Sequence, residues 1–480
     1  MTIELYNVLH IGGITFRLSA RMRLALVSLS LVACGGAPHH DPVPKTVETG
    51  DPTGGHKAAV AALVQPMVDA EIVTGMVVGL YDAGKLEIYG FGVGPDGKPP
   101  TGTTLFEIGS ITKIYTSLLL ADAVQRREVS LETHVADLLP PGVTMPTMDH
   151  RAITLGQLAL HTSGLPALPP TIAAQPVTGD PYAHYSEEAL YHDLVQTPLL
   201  DPPGERVRYS NYGSGLLGFA LGRKLGGGYA NALQARVLAP LGLSNTFLTV
   251  PPTARGRRIA GTNIDLAPVP YWTFDALAGS GGLVSDVHDQ LALIDAELDA
   301  ASGSRQTLRP AMRLTQEPQL EQHDTPDEGL GWQIDSAGRL WLNGSTGGFH
   351  SFIGFDPKTR RGVVVLAATA ISLVDHVATD LYKVLDNEPV PPATFPKPDQ
   401  LAAIAGTYEL GDFKLDVEVK GRRVSITGKG EPPYRLIPLT DHEMWFEAKQ
   451  SIVVFEKDGD KVARAVFVIG NQKLAAPRVN

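Results

Sequence analysis

Apolar residues recur at helical spacing over residues 58–72, whereas residues 76–93 read as two strands around Asp82-Ala83-Gly84. Residues 110–123 contain neither Gly nor Pro. There Ile111, Ile114, Tyr115, Leu118 and Leu119 form an apolar stripe, which predicts a buried helix. Further helices are expected near 155–160, 187–196, 212–225 and 287–298, and strands near 329–335, 340–342, 351–356 and 362–368. Strands at both ends with helices between them predict an α+β domain over residues 56–387: an antiparallel sheet flanked by helices, with a helical insert. A Pro-rich linker over 388–400 closes it. From 401 to 480 the period drops to two. Phe413, Leu415, Val417 and Val419 alternate with charged residues, and Lys457-Asp458-Gly459-Asp460 supplies hairpin chemistry. A small all-β barrel or sandwich is expected there. It holds no evident nucleophile–base pair, so it reads as a partner or substrate-access module.

The N-terminus has a different pattern. Arg21-Met22-Arg23 precedes ten apolar or small residues, 24–33, that end at Cys34. As a helix they would rise about 15 Å, half of a bilayer core of roughly 30 Å. A basic start, a short apolar run and small residues before a processing site read as an export signal over residues 1–33. Met1 and Met22 are both candidate starts. Leu31-Val32-Ala33-Cys34 resembles a bacterial lipobox, which makes Cys34 the lipidated residue and residues 34–55 a flexible tether. The expectation is an exported, periplasm-facing lipoprotein. With Gly35 following Cys34, the outer membrane is the expected address.

Charge and composition narrow the chemistry. Forty Lys and Arg against 51 Asp and Glu give a net charge of −11, without basic runs, so no nucleic-acid partner is expected. The lone cysteine excludes a disulfide framework and a Cys-based zinc site. No HExxH occurs and the 14 histidines show no other metal-ligand spacing, so neither a metal nor a cofactor is expected.

Three segments carry candidate chemistry. Ser110-Ile-Thr-Lys113 is the chain's only S-x-x-K, and three residues on a helix place hydroxyl and ammonium on one face. A desolvated, neutral lysine can take a serine proton, and Gly109 allows close backbone approach. Tyr209-Ser210-Asn211 offers a proton relay, if a nearby cation lowers the phenol's pKa, and an amide able to orient a lysine and a substrate carbonyl. The third segment, Leu342-Asn343-Gly344-Ser345-Thr346-Gly347-Gly348-Phe349, follows Trp341 at a strand end. Its small residues let a strand edge lie against substrate, with one N–H completing an oxyanion hole with that of Ser110. Each signal is weak alone, and the third also reads as a Gly-rich hairpin turn.

In that order the three segments resemble the serine β-lactamase and penicillin-binding-protein superfamily, in particular its class C β-lactamase-related esterase and peptidase branch. Other blocks share the resemblance, among them Phe106-Glu107, residues 153–165, Ala278-Gly-Ser-Gly-Gly-Leu283 and Ser351-Phe-Ile-Gly-Phe-Asp356. It implies that Ser110 is the acylated nucleophile, Lys113 its proton acceptor, Tyr209 a general base, and Asn211 a holder of Lys113 and the substrate amide. It further implies that the Ser110 and Ser345 N–H groups bind the oxyanion, with Asn343 and Gly344 along the substrate. Leu342 departs from the pattern, standing where the family usually has Lys or His, which weakens the case for binding a substrate carboxylate. His350 is a candidate replacement cation, though it reads first as an exposed loop histidine. His161, in His161-Thr-Ser-Gly164, reads as part of a structural turn. The expected partner is a small-molecule or peptide substrate: a β-lactam, a small ester or a D-amino-acid peptide. The alternative is a catalytically weak lipoprotein that binds peptidoglycan peptides or another protein in the same cleft.

Overall fold

The computed structural model describes residues 9–11, 14–16, 47–48, 55–175, 179–298, 307–320, 327–470 and 472–479. Cys34, the apolar run before it and most of the tether lie outside the described residues. Among the described residues no helix is long and apolar enough to cross a membrane.

Leu9–Ile11 and Ile14–Phe16 form a short antiparallel pair, and from residue 57 the chain forms helix α1 (Lys57–Asp69) and the hairpin β1 (Gly75–Asp82) and β2 (Lys85–Gly92). A short 3₁₀ turn, Gly109–Ile111, then runs into α2 (Thr112–Gln125). The helical region contains α3 (Asn211–Leu225) and ends with α4 (Val287–Leu298). Three strands return as β3 (Leu340–Ser345), β4 (His350–Asp356) and β5 (Arg361–Ala367), followed by α5 (Val374–Leu385). They join the N-terminal hairpin in the order β2-β1-β5-β4-β3, all antiparallel. Short strands extend both edges. Gln333–Ile334 and Asp327–Glu328 lie beyond β3, and Val47–Glu48 pairs parallel to β2, so the expected tether touches the sheet at that point. This is the anticipated α+β arrangement.

The period-two pattern of β1 sorts its residues between two cores. Val77 and Tyr81 face the α2 side, in one apolar cluster with Ile111, Ile114 and Leu118. Met76, Val78 and Leu80 face α1 and α5, packing with Val60, Val64, Val374 and Leu381. Helix α2 departs from the striped helix that the sequence suggests. It packs against α3 and the 309–316 helix as well as the Ala278–Leu283 segment, so its polar residues Lys113, Thr116, Ser117 and Asp122 are buried too. Helix α5 was not expected from the sequence.

Residues 406–477 form an eight-stranded antiparallel meander: β6 (Gly406–Leu410), β7 (Phe413–Lys420), β8 (Arg423–Gly428), β9 (Tyr434–Pro438), β10 (Glu443–Phe446), β11 (Ser451–Asp458), β12 (Lys461–Ile469) and β13 (Gln472–Pro477). The two ends meet: Tyr408 bridges Arg478, and the Val479 N–H donates to Thr407 O at 2.8 Å. Of the two expected forms, barrel or sandwich, the module is a nearly closed barrel. Tyr408, Leu415, Val417, Ile426, Met444 and Phe455 fill its interior.

Candidate active site

Ser110 sits in the 3₁₀ turn where the chain enters α2. It is half-buried amid a run of buried residues from Thr104 to Ala123, so its hydroxyl marks an opening in the core. Gly109 holds φ = +48°, and a Cβ there would fall 2.7 Å from the Ser345 nitrogen. A Cβ on Gly344 would lie 2.1 Å from Ile108 O and 2.8 Å from the Ser110 nitrogen. Glycine at both positions therefore lets the β3 edge lie directly against the start of α2.

Lys113, one turn on, is 4% exposed. Its Nζ donates to Ser110 Oγ at 3.0 Å, Asn211 Oδ1 at 2.8 Å and Ser280 O at 2.7 Å. Burial holds its pKa well below the ordinary lysine range. Two of these three partners, the Asn211 amide oxygen and the Ser280 carbonyl, can only accept. Once Lys113 is neutral, its two N–H donors stay on them and its lone pair is left facing the Ser110 hydroxyl.

Tyr209 and Asn211 arrive together because Ser210 caps α3. The Ser210 Oγ accepts from the Gly213 N–H at 2.9 Å and donates to Pro166 O at 2.7 Å. The Tyr209 hydroxyl is hydrogen-bonded to Ser110 Oγ, while its ring is 49% exposed along the cleft. Desolvation pushes the phenol up to about 12, with the Ser110 bond opposing it. A phenol lowered by a nearby cation, the condition attached to proton relay in the sequence reading, is thus not what the site supplies. Asn211 Nδ2 donates to the Tyr182 hydroxyl at 3.1 Å. His161 accepts from the Ser210 N–H at 3.2 Å and tilts against the Tyr209 ring, with centroids 4.7 Å apart. Burial pushes His161 down to about 3, which leaves it neutral.

The third segment is both strand and turn, β3 running to Ser345 and the chain reversing before β4. Register pairs Ser345 with His350 and Gly344 with Ser351. Leu342, Gly344 and Ser351 share the face toward Ser110; Ser351 Oγ donates to Ile108 O at 2.9 Å. Asn343 and His350 share the opposite face, where Asn343 Nδ2 donates to Asp375 Oδ2 at 2.7 Å and His350 Nε2 lies 2.8 Å from Asp375 Oδ1. His350 is thus not an exposed loop residue. It is a buried strand residue, 5% exposed, that an α5 carboxylate holds on the face away from Ser110. The Asn343 side chain is likewise turned from the cleft. Leu342 is buried and offers no donor.

Several site residues escaped sequence reasoning. The Ser280 carbonyl lies in the Ala278–Leu283 block, which shares the family resemblance but gave no sign of a role for Ser280. Tyr182 stacks on Phe274 at 4.3 Å and tilts toward Trp272, whose Nε1 is 2.8 Å from where a Gly347 Cβ would be. Glu107 is 3% exposed, accepts from Arg258 at 3.0 Å and from the Trp272 N–H at 2.9 Å, and is pushed up by burial to about 7. Arg258 is 151 residues away in sequence, so no local signal could have paired them. Among the described residues no group of three or more His, Cys, Asp or Glu could hold a metal ion.

The chain is similar in sequence and fold to several known proteins. The chain is 28% identical over 346 residues to a "Beta-lactamase" of Escherichia coli (strain K12), covering 63% of this chain and 86% of that protein. It is also 28% identical over 339 residues to "Penicillin-binding protein 4" of Amycolatopsis lactamdurans, covering 64% and 85%. A third relative, "D-alanyl-D-alanine-carboxypeptidase/endopeptidase AmpH" of Escherichia coli (strain K12), is 28% identical over 310 residues, with 61% and 79% covered. A solved class C beta-lactamase superposes with a TM-score of 0.61 at 24% identity, covering 70% of this chain and 97% of that one, so the two share the fold. The family model for Beta-lactamase matches residues 60–387. The chain belongs to the beta-lactamase family, with an additional C-terminal barrel.

Proposed function

We propose that the protein is a serine hydrolase that cleaves an amide or ester through an acyl-enzyme on Ser110. The observation that carries this reading is the joined set Ser110, Lys113, Tyr209 and Asn211, in which one hydroxyl meets a buried amine and a phenol. Neutral Lys113 takes the Ser110 proton as Oγ attacks the carbonyl carbon. The Ser110 and Ser345 N–H groups receive the negative oxygen, and protonated Tyr209 supplies a proton to the leaving group as the acyl bond breaks. Water then attacks the acyl-serine, returning the proton to the same set. Asn211 keeps Lys113 in place through Oδ1.

The substrate is a small neutral ester or amide in preference to a carboxylate-bearing β-lactam. Leu342 provides no charge-assisted contact, and His350 is held by Asp375 on the far face of the sheet. Trp272, backed by the buried Tyr182, sets an aromatic ring beside Gly347 in the turn after Ser345, which suits an apolar acyl group. The lipid anchor on Cys34 and the outer-membrane address belong to the same proposal.

Incubation with a fluorophosphonate tests the mechanism. Intact-mass measurement should show one adduct, mapped to Ser110 and absent from Ser110→Ala. An unmodified wild-type protein would point instead to a binding role for the cleft.

A further inference from the structure

Among the described residues, polar bonds join the barrel to the preceding domain in two regions, and both lead to the hairpin that carries the Ser345 N–H. The first begins at Arg435 on β9, 6% exposed, whose guanidinium donates to the carbonyls of Ile264 and, at 2.8 Å, Glu71. Arg423 on β8 adds a bond to Asp265 O at 2.7 Å. The segment they grip, 261–272, lies over the turn of the third motif. The Thr262 N–H donates to Gly348 O at 3.1 Å, and a Cβ on Gly348 would fall 2.6 Å from Val269 Cγ2 and 2.8 Å from Gly261. Trp272, at the end of the segment, abuts Gly347 and is fixed by Glu107.

The second place is Glu447, just after β10. Both its carboxylate oxygens accept from the Ser372 N–H at 3.1 Å, and one accepts from Ser372 Oγ at 2.9 Å and from Trp445 Nε1 at 2.7 Å. Ser372 stands two residues before α5, so this carboxylate satisfies an N–H at the helix entrance. One residue inside that helix is Asp375, which holds Asn343 and His350, the residues that flank the Ser345 turn on β3 and β4. Ile437 of β9 joins the apolar cluster around α5, so the barrel is packed there and not merely tethered.

We propose that the C-terminal barrel is a positioning part of the active site. Arg435 and Glu447 brace the 342–350 hairpin from two sides and so fix the Ser345 N–H against Ser110. Neither residue touches substrate; each acts through a segment that does. The inference rests on the hydrolase reading for its kinetic consequence, but the bracing itself is a structural coupling. Removing the Arg435 guanidinium leaves two carbonyls without their charged donor. A small displacement of an oxyanion donor then lowers turnover more than binding, since the donor matters most in the transition state.

The test uses the full-length chain with Arg435→Met, Arg435→Lys, Glu447→Gln and, as a barrel control, Arg464→Met, which removes an exposed ion pair with Glu456. Turnover of a p-nitrophenyl ester is measured beside amide hydrogen exchange in peptides covering 261–272 and 343–350. The expected result for Arg435→Met and Glu447→Gln is a kcat lowered by about 10-fold, set against the ~100-fold that a 1 Å misplacement costs. KM stays within about two-fold, and exchange becomes faster in both peptides. Arg435→Lys recovers part of the loss, because one ammonium reaches only one carbonyl well, and Arg464→Met behaves as wild type. Exchange that quickens only inside the barrel, or kcat equal to wild type in both bracing variants, overturns the proposal. If wild type itself takes no fluorophosphonate and turns over no ester, the hydrolase reading falls. Exchange at 343–350 in the variants then still decides the coupling.

Discussion

At the scale of single residues, the linked set Ser110, Lys113, Tyr209 and Asn211 was legible because each lies in a short motif: S-x-x-K sets helix spacing, and Tyr209 and Asn211 flank a helix cap. What the sequence hid was polarity assigned at long range. Lys113 needs the Ser280 carbonyl as an acceptor, and Tyr209 is deprotonated less readily, not more, because desolvation of its hydroxyl outweighs the bond from Ser110. Lys113→Ala should therefore slow acylation of Ser110 by roughly 10²–10⁴-fold, the usual worth of a positioned base. Since the neutral amine is the active form, kcat/KM should rise with pH along a limb well below the ordinary lysine pKa. An acid limb near 10 in the wild type, the ordinary lysine range, would refute the lowered pKa on which this reading rests. Leu342 makes a separate test. Leu342→Lys should raise kcat/KM for a chromogenic cephalosporin by about 10-fold, corresponding to about 1.4 kcal/mol, without a gain for a p-nitrophenyl ester. Efficient cephalosporin turnover by wild type that the substitution leaves unaltered would refute the preference for neutral substrates. His350 no longer complicates the result, because Asp375 keeps it on the other face.

Among the elements, long helices and the two-residue alternation of the barrel were readable because each repeats a simple burial pattern. Helix α5 and the two-sided role of β3 were not. On β3 the sequence places Leu342, Asn343, Gly344 and Ser345 together as site residues. The strand's pleat then sends Asn343 to Asp375 and keeps only Leu342 and Gly344 toward Ser110. The close approach between this strand and the start of α2 depends on Gly344, where a Cβ would overlap Ile108 O at 2.1 Å. That neighbour is backbone and cannot rotate away. Gly344→Ala should push β3 from Ser110 and lower kcat/KM by about 100-fold, the loss expected for a misplacement of about 1 Å. Fluorophosphonate labelling, which reports on the same oxyanion geometry, should slow in parallel. A variant that folds and labels at the wild-type rate would show that the strand edge has slack which the geometry does not reveal.

Across the whole molecule, burial of carboxyl groups sets the dependence of stability on pH. Glu107 and Asp286 are pushed up by desolvation to about 7, and Glu297 to about 8. Asp286 is fully buried, with Arg257 at 3.6 Å and the Asp289 N–H at 3.0 Å as its compensation. Each group keeps its proton in the folded chain at a pH where the unfolded chain, with pKa values near 4, has released it. The stability they give is complete below about 4 and is lost as pH rises through 7 to 8. Lys113 acts in the opposite sense. Its folded pKa is lowered, so its contribution is lost as pH falls through the window between that value and the ordinary lysine range. His161, lowered by burial to about 3 from an ordinary 6.5, acts in the same sense as Lys113, and the buried Asp289, also raised, joins the carboxyls. Four carboxyls against these two groups leave the first effect dominant between pH 5 and 8. The melting temperature at constant ionic strength should therefore fall by several degrees across that range. Glu297→Gln, which cannot ionise and retains an amide opposite Gln316, should flatten the slope. A wild-type melting temperature that rises from pH 5 to 8 would mean these carboxylates are charged in the folded chain and that polar partners outweigh their burial. A slope that Glu297→Gln leaves unchanged would remove Glu297 from the set while leaving Glu107 and Asp286 to account for it.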